Sequence, residues 1–313
     1  MPNEPAVEVV SLAALRTSAD GERTQVLFNE LHRIYTLPRS ATAARRYSNL
    51  LRELSASQRP VRVTLDLDKG VVRDVAEPSA QELRRFERGR QPLEAPEKSF
   101  KVDLAKIDPT RFNVVDHHLK VPVFRLCRKI VPNYAKAKEI FDFCAEQSCH
   151  LGGPFDVSPC IPFQYVRDGC YARAHKMRKI ITERYGYCCE KVFSFATENF
   201  DTLAVAANKW GGCCVFWWYH VAPLVRVRVR LGKASVVLAL VIDPGMFDKP
   251  VLLSSWLYAQ QNKTCDPDAK VSSYSIQPGS AYTPSFPPGS YATDPDYSKT
   301  DQTLTNYHSL TTC

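Results

Sequence analysis

Hydrophobic positions recur along the chain with two different periods, and the periods divide it into elements. From Pro60 to Leu67 they alternate (Val61, Val63, Leu65, Leu67), which predicts a half-buried strand, and Val71 to Val75 predicts a second after Lys69-Gly70. From Ala41 to Ser55, Tyr47, Leu50, Leu51 and Leu54 share one helical face. Thr24 to Leu37 reads both ways: Leu27, Phe28, Leu31, Ile34 and Tyr35 have helical spacing, while Val26-Leu27-Phe28 and Ile34-Tyr35-Thr36 are β-rich. Ser79-Ala80-Gln81-Glu82 is a capping box, predicting a helix that runs to about Arg90. Together these predict a small α+β unit over residues 23–90. Residues 1–22 carry no strong pattern and are expected to lead in loosely. Gln91 to Lys129, with Pro92, Pro96, Pro109 and Pro122, reads as a linker or wrapping segment. Within it Arg125, Arg128 and Lys129 would suit a trypsin-like protease.

A second domain is expected over residues 131–313. Ala135 to Glu146 reads as a helix, and Tyr171 to Arg184 as another with Ala174, Met177 and Ile181 facing inward. Cys214 to Tyr219 and Leu224 to Leu231 suit strands, the latter setting Val225, Val227 and Val229 against Arg226, Arg228 and Arg230. Gly232-Lys233 would turn the chain into a largely apolar strand, Ala234 to Ile242. The Ser-, Tyr-, Pro- and Gly-rich tail from Thr264 is expected to form surface loops. No apolar run approaches the roughly 20 residues of a membrane helix, so no membrane partner is expected. Met1-Pro2-Asn3-Glu4 lacks the basic-then-apolar opening of a signal peptide.

Composition narrows the function classes. The chain has 313 residues, 44% hydrophobic and 24% charged, which suits a globular protein with room for two cores. Its net charge of +8 is spread over two halves of mixed sign, and no nucleic-acid motif is present, so nucleic acid is not an expected partner. Ten of the eleven cysteines follow residue 130, a density that implies disulfides and an oxidising compartment. No Cys-x-x-Cys and no paired His at ligand spacing argues for a metal. Cys149 and Cys160 bracket a Gly/Pro loop and are the first expected pair. Cys213 and Cys214 are adjacent, which fits disulfide geometry poorly.

Three residues could carry nucleophilic chemistry. Cys170 follows Asp168-Gly169 at the start of a predicted helix, where unpaired N–H groups and the helix dipole favour a thiolate. A further disulfide cysteine is the plainer reading of it. His220 lies on a strand amid Trp217, Trp218 and Tyr219, and taken alone reads as a core histidine. Asp243 precedes Pro244-Gly245 and taken alone reads as a turn residue. A hairpin centred near Gly232-Lys233 changes this, because facing positions then sum to about 465. Asp243 faces position 222, and His220 becomes its diagonal neighbour, roughly 7–8 Å away before the side chains reach. Cys as nucleophile, His as acid and base and Asp as the orienting carboxylate is the arrangement of papain-like and transglutaminase-like thiol enzymes.

At these residues the chain resembles the bacterial protein-glutaminases. The segment Cys160-Ile161-Pro162-Phe163 through Asp168-Gly169-Cys170-Tyr171-Ala172-Arg173-Ala174-His175-Lys176-Met177-Arg178 is similar to that family's nucleophile segment. Cys189-Glu190-Lys191, Cys213-Cys214-Val215, Tyr219-His220-Val221-Ala222 and Ile242-Asp243-Pro244 follow in the family's order. Val271-Ser272-Ser273-Tyr274 and Pro288-Gly289-Ser290-Tyr291 continue the likeness, and residues 24–90 resemble the family's propeptide more faintly.

The resemblance implies an α+β fold with a papain/transglutaminase-like core, and hydrolysis of protein-bound glutamine to glutamate and ammonia. Cys170, His220 and Asp243 would form the triad, with no metal or organic cofactor. Protein substrates with exposed glutamine and an activating protease are the implied partners, and a secreted monomer is expected. His175 would be structural. Residues 23–90 would be an inhibitory pro-domain with Leu31-His32-Arg33 as the plug, although His32 is larger than the small residue expected there. Processing between about Arg90 and Val131 would activate it. A transglutaminase, a cysteine protease and a disulfide-rich binding module are the competing readings.

Overall fold

The computed structural model describes residues 5–17, 23–38, 40–88, 100–101, 129–196, 202–231 and 234–313. Most of the expected linker, its basic residues Arg125 and Arg128, and the Gly232-Lys233 turn lie outside them. The fold is α+β. Its N-terminal unit contains β1 (Ala6–Val10), β2 (Leu12–Thr17), β3 (Thr24–Phe28), β4 (Leu31–Thr36), α1 (Ala41–Ala56), β5 (Val61–Asp66), β6 (Val71–Ala76) and α2 (Ala80–Arg88). The capping box forms as its sequence requires: Ser79 N–H donates to Glu82 Oε2 (2.7 Å) and Glu82 N–H to Ser79 Oγ (3.3 Å).

Two expectations are corrected in this unit. Residues 6–17 are two strands rather than a loose lead, because β1 pairs with β5 (Ala6↔Leu65 to Val10↔Val61) and β2 with β3. Those partners are distant in sequence, so no local pattern announces them. Thr24 to Leu37 is a β3–β4 hairpin turning at Asn29-Glu30, the strand alternative having won through pairing on both sides.

The second half contains β7 (Phe100–Lys101), α3 (Tyr134–Glu146), α4 (Cys170–Lys179), β8 (Glu190–Phe195), β9 (Leu203–Ala206), β10 (Cys214–Trp217), β11 (Tyr219–Leu231), β12 (Ala234–Val241), β13 (Val251–Leu252), α5 (Leu253–Tyr258), β14 (Ser273–Gln277), β15 (Ala281–Pro284), β16 (Tyr291–Thr293) and α6 (Ser298–Tyr307). Asn133 caps α3 by accepting from Lys136 N–H (2.8 Å). A π turn, Ile180–Arg184, extends α4. The tail after Thr264 carries β14, β15, β16 and α6 among its loops, a partial correction of the expectation of surface loops. Its strand β14 is held by pairing to β8, not by its own composition.

A six-stranded sheet runs in the order β13-β12-β11-β8-β14-β7. The β11–β12 register is Leu224↔Val241 through Leu231↔Ala234, the sum of 465 expected from the hairpin. Val225 and Val227 are fully buried, each worth about 1.5–3 kcal/mol relative to exposure. On the opposite face Arg226 pairs with Glu190 (3.0 Å). A second sheet, β1-β5-β6-β4-β10-β9, crosses from the N-terminal unit into the second half where β4 meets β10.

Disulfides join Cys149 to Cys160, as expected, Cys213 to Cys313 and Cys214 to Cys265. Cys144, Cys170 and Cys189 are free and buried. Cys170 is not a disulfide cysteine.

Candidate active site

Cys170 is the first residue of α4, which packs against β11. Its N-cap, Gly169, has φ +81°, and a Cβ there would stand 2.8 Å from the Tyr307 ring, so only glycine fits. Asp168 accepts from Gly169 N–H (2.7 Å) and fixes this turn. One turn along α4, the buried Arg173 donates to the carbonyls of Tyr165 and Asp168, both at 2.6 Å. Sequence reasoning did not single out Arg173. Its place three residues after a candidate nucleophile, on the same helix face, was the available signal.

His220 Nε2 lies 2.9 Å from Asp243 Oδ2, both side chains being buried. The imidazole is sandwiched between Trp217 (centroids 4.4 Å, 14° between planes) and Trp256 (5.3 Å, 23°). Trp256 Nε1–H also donates to Asp243 Oδ2 (2.9 Å), a contribution the sequence reading missed. Burial would raise the Asp243 carboxyl, but the hydrogen bonds from His220 and Trp256 hold it below the ordinary range. Burial pushes His220 down, against the opposing pull of Asp243. Its Nδ1 is buried without a hydrogen-bond partner.

The structure thus brings all three predicted residues together. Sγ of Cys170 and a ring nitrogen of His220 lie within 4.8 Å of each other. A ring nitrogen of His32, from β4, stands equally close to both. His32 is fully buried, with Nδ1 2.8 Å from Asp168 Oδ1 and its ring centroid 6.1 Å from that of His220. Its backbone is held as part of a strand pair: Trp217 is in register with Arg33, and Trp218 N–H donates to His32 O (3.1 Å). Trp218 Nε1–H donates to Leu31 O (2.8 Å). Next to it the Tyr35 hydroxyl donates to Asp168 Oδ2 (2.6 Å), and the buried Arg33 donates to Tyr165 Oη (3.1 Å) and to Leu67 O. Of the Leu31-His32-Arg33 segment, it is the His32 side chain that reaches Cys170 and His220.

One electrostatic expectation is reversed by this occupation. Burial pushes the Cys170 thiol well above its usual range, against the pull of Arg173 and of the Val221 N–H. Without water, the helix start does not suffice to favour thiolate. His175 lies elsewhere, its Nε2 3.0 Å from Asp294 O and its Nδ1 2.6 Å from Lys191 Nζ, in keeping with the structural reading.

A family model described as glutaminase matches residues 137–260. No curated protein matches the chain. Among solved structures, a crystal structure of pro-protein-glutaminase is 27% identical with a TM-score of 0.68, over 98% of this chain and 95% of that one. A crystal structure of protein-glutaminase is 36% identical with a TM-score of 0.51, over 59% of this chain and 92% of that one. The solution structure of protein-glutaminase from Chryseobacterium proteolyticum is 37% identical with a TM-score of 0.51, over 59% and 91%.

Proposed function

The chain belongs to the protein-glutaminase family in its proenzyme form, and from that premise we propose that it deamidates protein-bound glutamine through Cys170, His220 and Asp243, and is held latent by its N-terminal unit. The observation that carries the reading is the buried constellation itself, with His220 bound to Asp243 at 2.9 Å and to no partner through Nδ1, beside Cys170. Once water is readmitted, Nδ1 of His220 takes the thiol proton, and the Cys170 thiolate attacks the carboxamide carbon. Protonated His220 then delivers that proton to the departing ammonia, leaving a thioester. It next removes a proton from water, whose attack releases glutamate and restores the thiol. Asp243 fixes the ring and stabilises its charged form, and Trp256 fixes Asp243. The Cys170 N–H, at the first position of α4, supports the oxyanion.

Latency follows from β4. While it is docked, no glutamine side chain can reach the buried Cys170, and burial disfavours its thiolate. We assign the inhibitory role to the N-terminal unit, residues 23–90 together with the strands β1 and β2, and activation to cleavage between about Arg90 and Val131. Its disulfides fit an oxidising, extracytoplasmic setting. None of the described helices is long and apolar enough to cross a membrane.

The test compares ammonia release from casein by the full chain, the trypsin-processed chain and processed Cys170→Ala. Release is expected only from processed wild type. Equal specific activity before and after processing would overturn latency, and Cys170-independent ammonia would overturn the triad. Amine incorporation or new peptide fragments in place of ammonia would instead reveal acyl transfer or proteolysis.

A further inference from the structure

The β4 strand places a second histidine against the nucleophile, and each histidine has a carboxylate oxygen within 2.9 Å of one ring nitrogen. His220 meets Asp243 through Nε2, which leaves Nδ1 buried and without a hydrogen-bond partner. His32 Nδ1 lies 2.8 Å from Asp168 Oδ1, outside hydrogen-bond geometry, and both of its ring nitrogens are buried without a hydrogen-bond partner. A free thiol, Cys170, completes the group, its Sγ and one ring nitrogen of each histidine lying within 4.8 Å of one another. His32, Cys170 and His220 are respectively 0%, 1% and 2% exposed.

We propose that the latent chain binds one Zn2+ through His32, Cys170 and His220, so that the metal clamps the inhibitory strand onto the nucleophile. Zinc takes imidazole nitrogen and thiolate sulfur in tetrahedral sites, with the fourth position left to water. Each imidazole already has a carboxylate on its other nitrogen, the outer arrangement that orients zinc-bound histidines. Asp168 serves His32 and Asp243 serves His220. Binding displaces the Cys170 proton to solvent and forms a Zn–S bond, with no change of oxidation state. It also gives two buried, unpaired nitrogens the partner they lack.

The site is shared between two parts of the molecule. His32 belongs to the inhibitory unit, whereas Cys170 and His220 belong to the catalytic half. Zinc therefore binds the latent form in preference to the processed one, which keeps two of the three ligands. By linkage, bound metal strengthens the docking of β4. The proposal rests on the reading of Cys170 and His220 as the active site, since it is their chemistry that the metal would block.

The experiment uses the full chain, stripped with a chelator and titrated with Zn2+ or with Co2+ as a spectroscopic probe. One metal per chain is expected, with a cobalt–thiolate absorption that disappears in Cys170→Ala. His32→Ala, and His32→Gln as the bulkier alternative should the first fold poorly, are expected to weaken Zn2+ binding by at least the ~10–100-fold that loss of an outer-shell partner costs. Zn2+ is also expected to slow iodoacetamide labelling of Cys170 in the full chain. Absence of binding, or binding indifferent to both His32 and Cys170, overturns the proposal. The catalytic reading is scored separately, by ammonia release from metal-free processed enzyme. Active processed enzyme without metal binding to the full chain sinks the clamp alone, whereas an inactive one sinks the catalytic reading while the cobalt spectrum still reports the site.

Discussion

Replacing Tyr35 by Phe removes one hydroxyl from β4, the strand proposed to inhibit, and under that proposal nothing from the processed enzyme. That hydroxyl donates to Asp168 Oδ2 at 2.6 Å, and both groups are fully buried. Burial would raise Asp168, but His32, Tyr35 and the Gly169 N–H outweigh it and hold the carboxyl below its ordinary range, so the bond is charge-assisted. Such bonds contribute about 1.5–3 kcal/mol. Asp168 keeps His32 and Gly169 as partners in the variant, so the loss falls in the lower part of that range, about 1.5–2 kcal/mol. Since each 1.4 kcal/mol is a factor of ten, the undocked fraction rises about 10–30-fold. Ammonia release from casein by the unprocessed variant, in chelator, is expected to rise by the same factor over unprocessed wild type. After processing the two proteins are expected to be indistinguishable. Equal basal rates before processing would refute the claim that this contact holds β4 in place.

Trp256→Phe keeps the stacking on His220 but loses the N–H to Asp243, and is expected to lower kcat of the processed enzyme by about tenfold with little change in KM, read by ammonia release. Burial and the neighbouring Lys191 push His175 down to about 2 from an ordinary 6.5. Below pH 6.5 the unfolded chain takes up a proton that the folded chain refuses, so stability falls with pH by up to about 1.4 kcal/mol per unit. In urea unfolding between pH 6.5 and 4, His175→Gln is expected to show a shallower acid-side loss than wild type. Double replacement of Cys213 and Cys313 by Ser opens a loop with a sequence separation of 100, and is expected to cost about 4–5 kcal/mol in thermal or urea unfolding.

The meeting of His220 with Asp243 was legible because one hairpin connects them, and hairpin register follows from counting. The helices α1 and α2 were legible for similar reasons, the one announced by an apolar face and the other by a capping box. What the sequence concealed depends on pairing across long separations. β1 and β2 become strands only beside β5 and β3, and β14 only beside β8. The roles of Trp256 and Arg173 were hidden for the same reason, since an indole on a short helix and a guanidinium one turn after Cys170 acquire meaning from their acceptors. The nucleophile's ionisation was misjudged because helix position is local, whereas the water-excluding strand arrives from residues 31–36.

The contacts around Gly169 impose an order in time. The turn that presents Cys170 is completed by Tyr307, whose ring packs against Gly169, and by Thr312. Thr312 accepts from Val166 N–H through its hydroxyl and from Arg167 through its carbonyl. A chain emerging from its amino end folds its earlier units first. Residues 6–88, with β4 among them, are therefore available before residues 307–312 exist to finish the nucleophile's turn. On this order, the strand that lies against Cys170 is made before the turn that presents Cys170 can be finished.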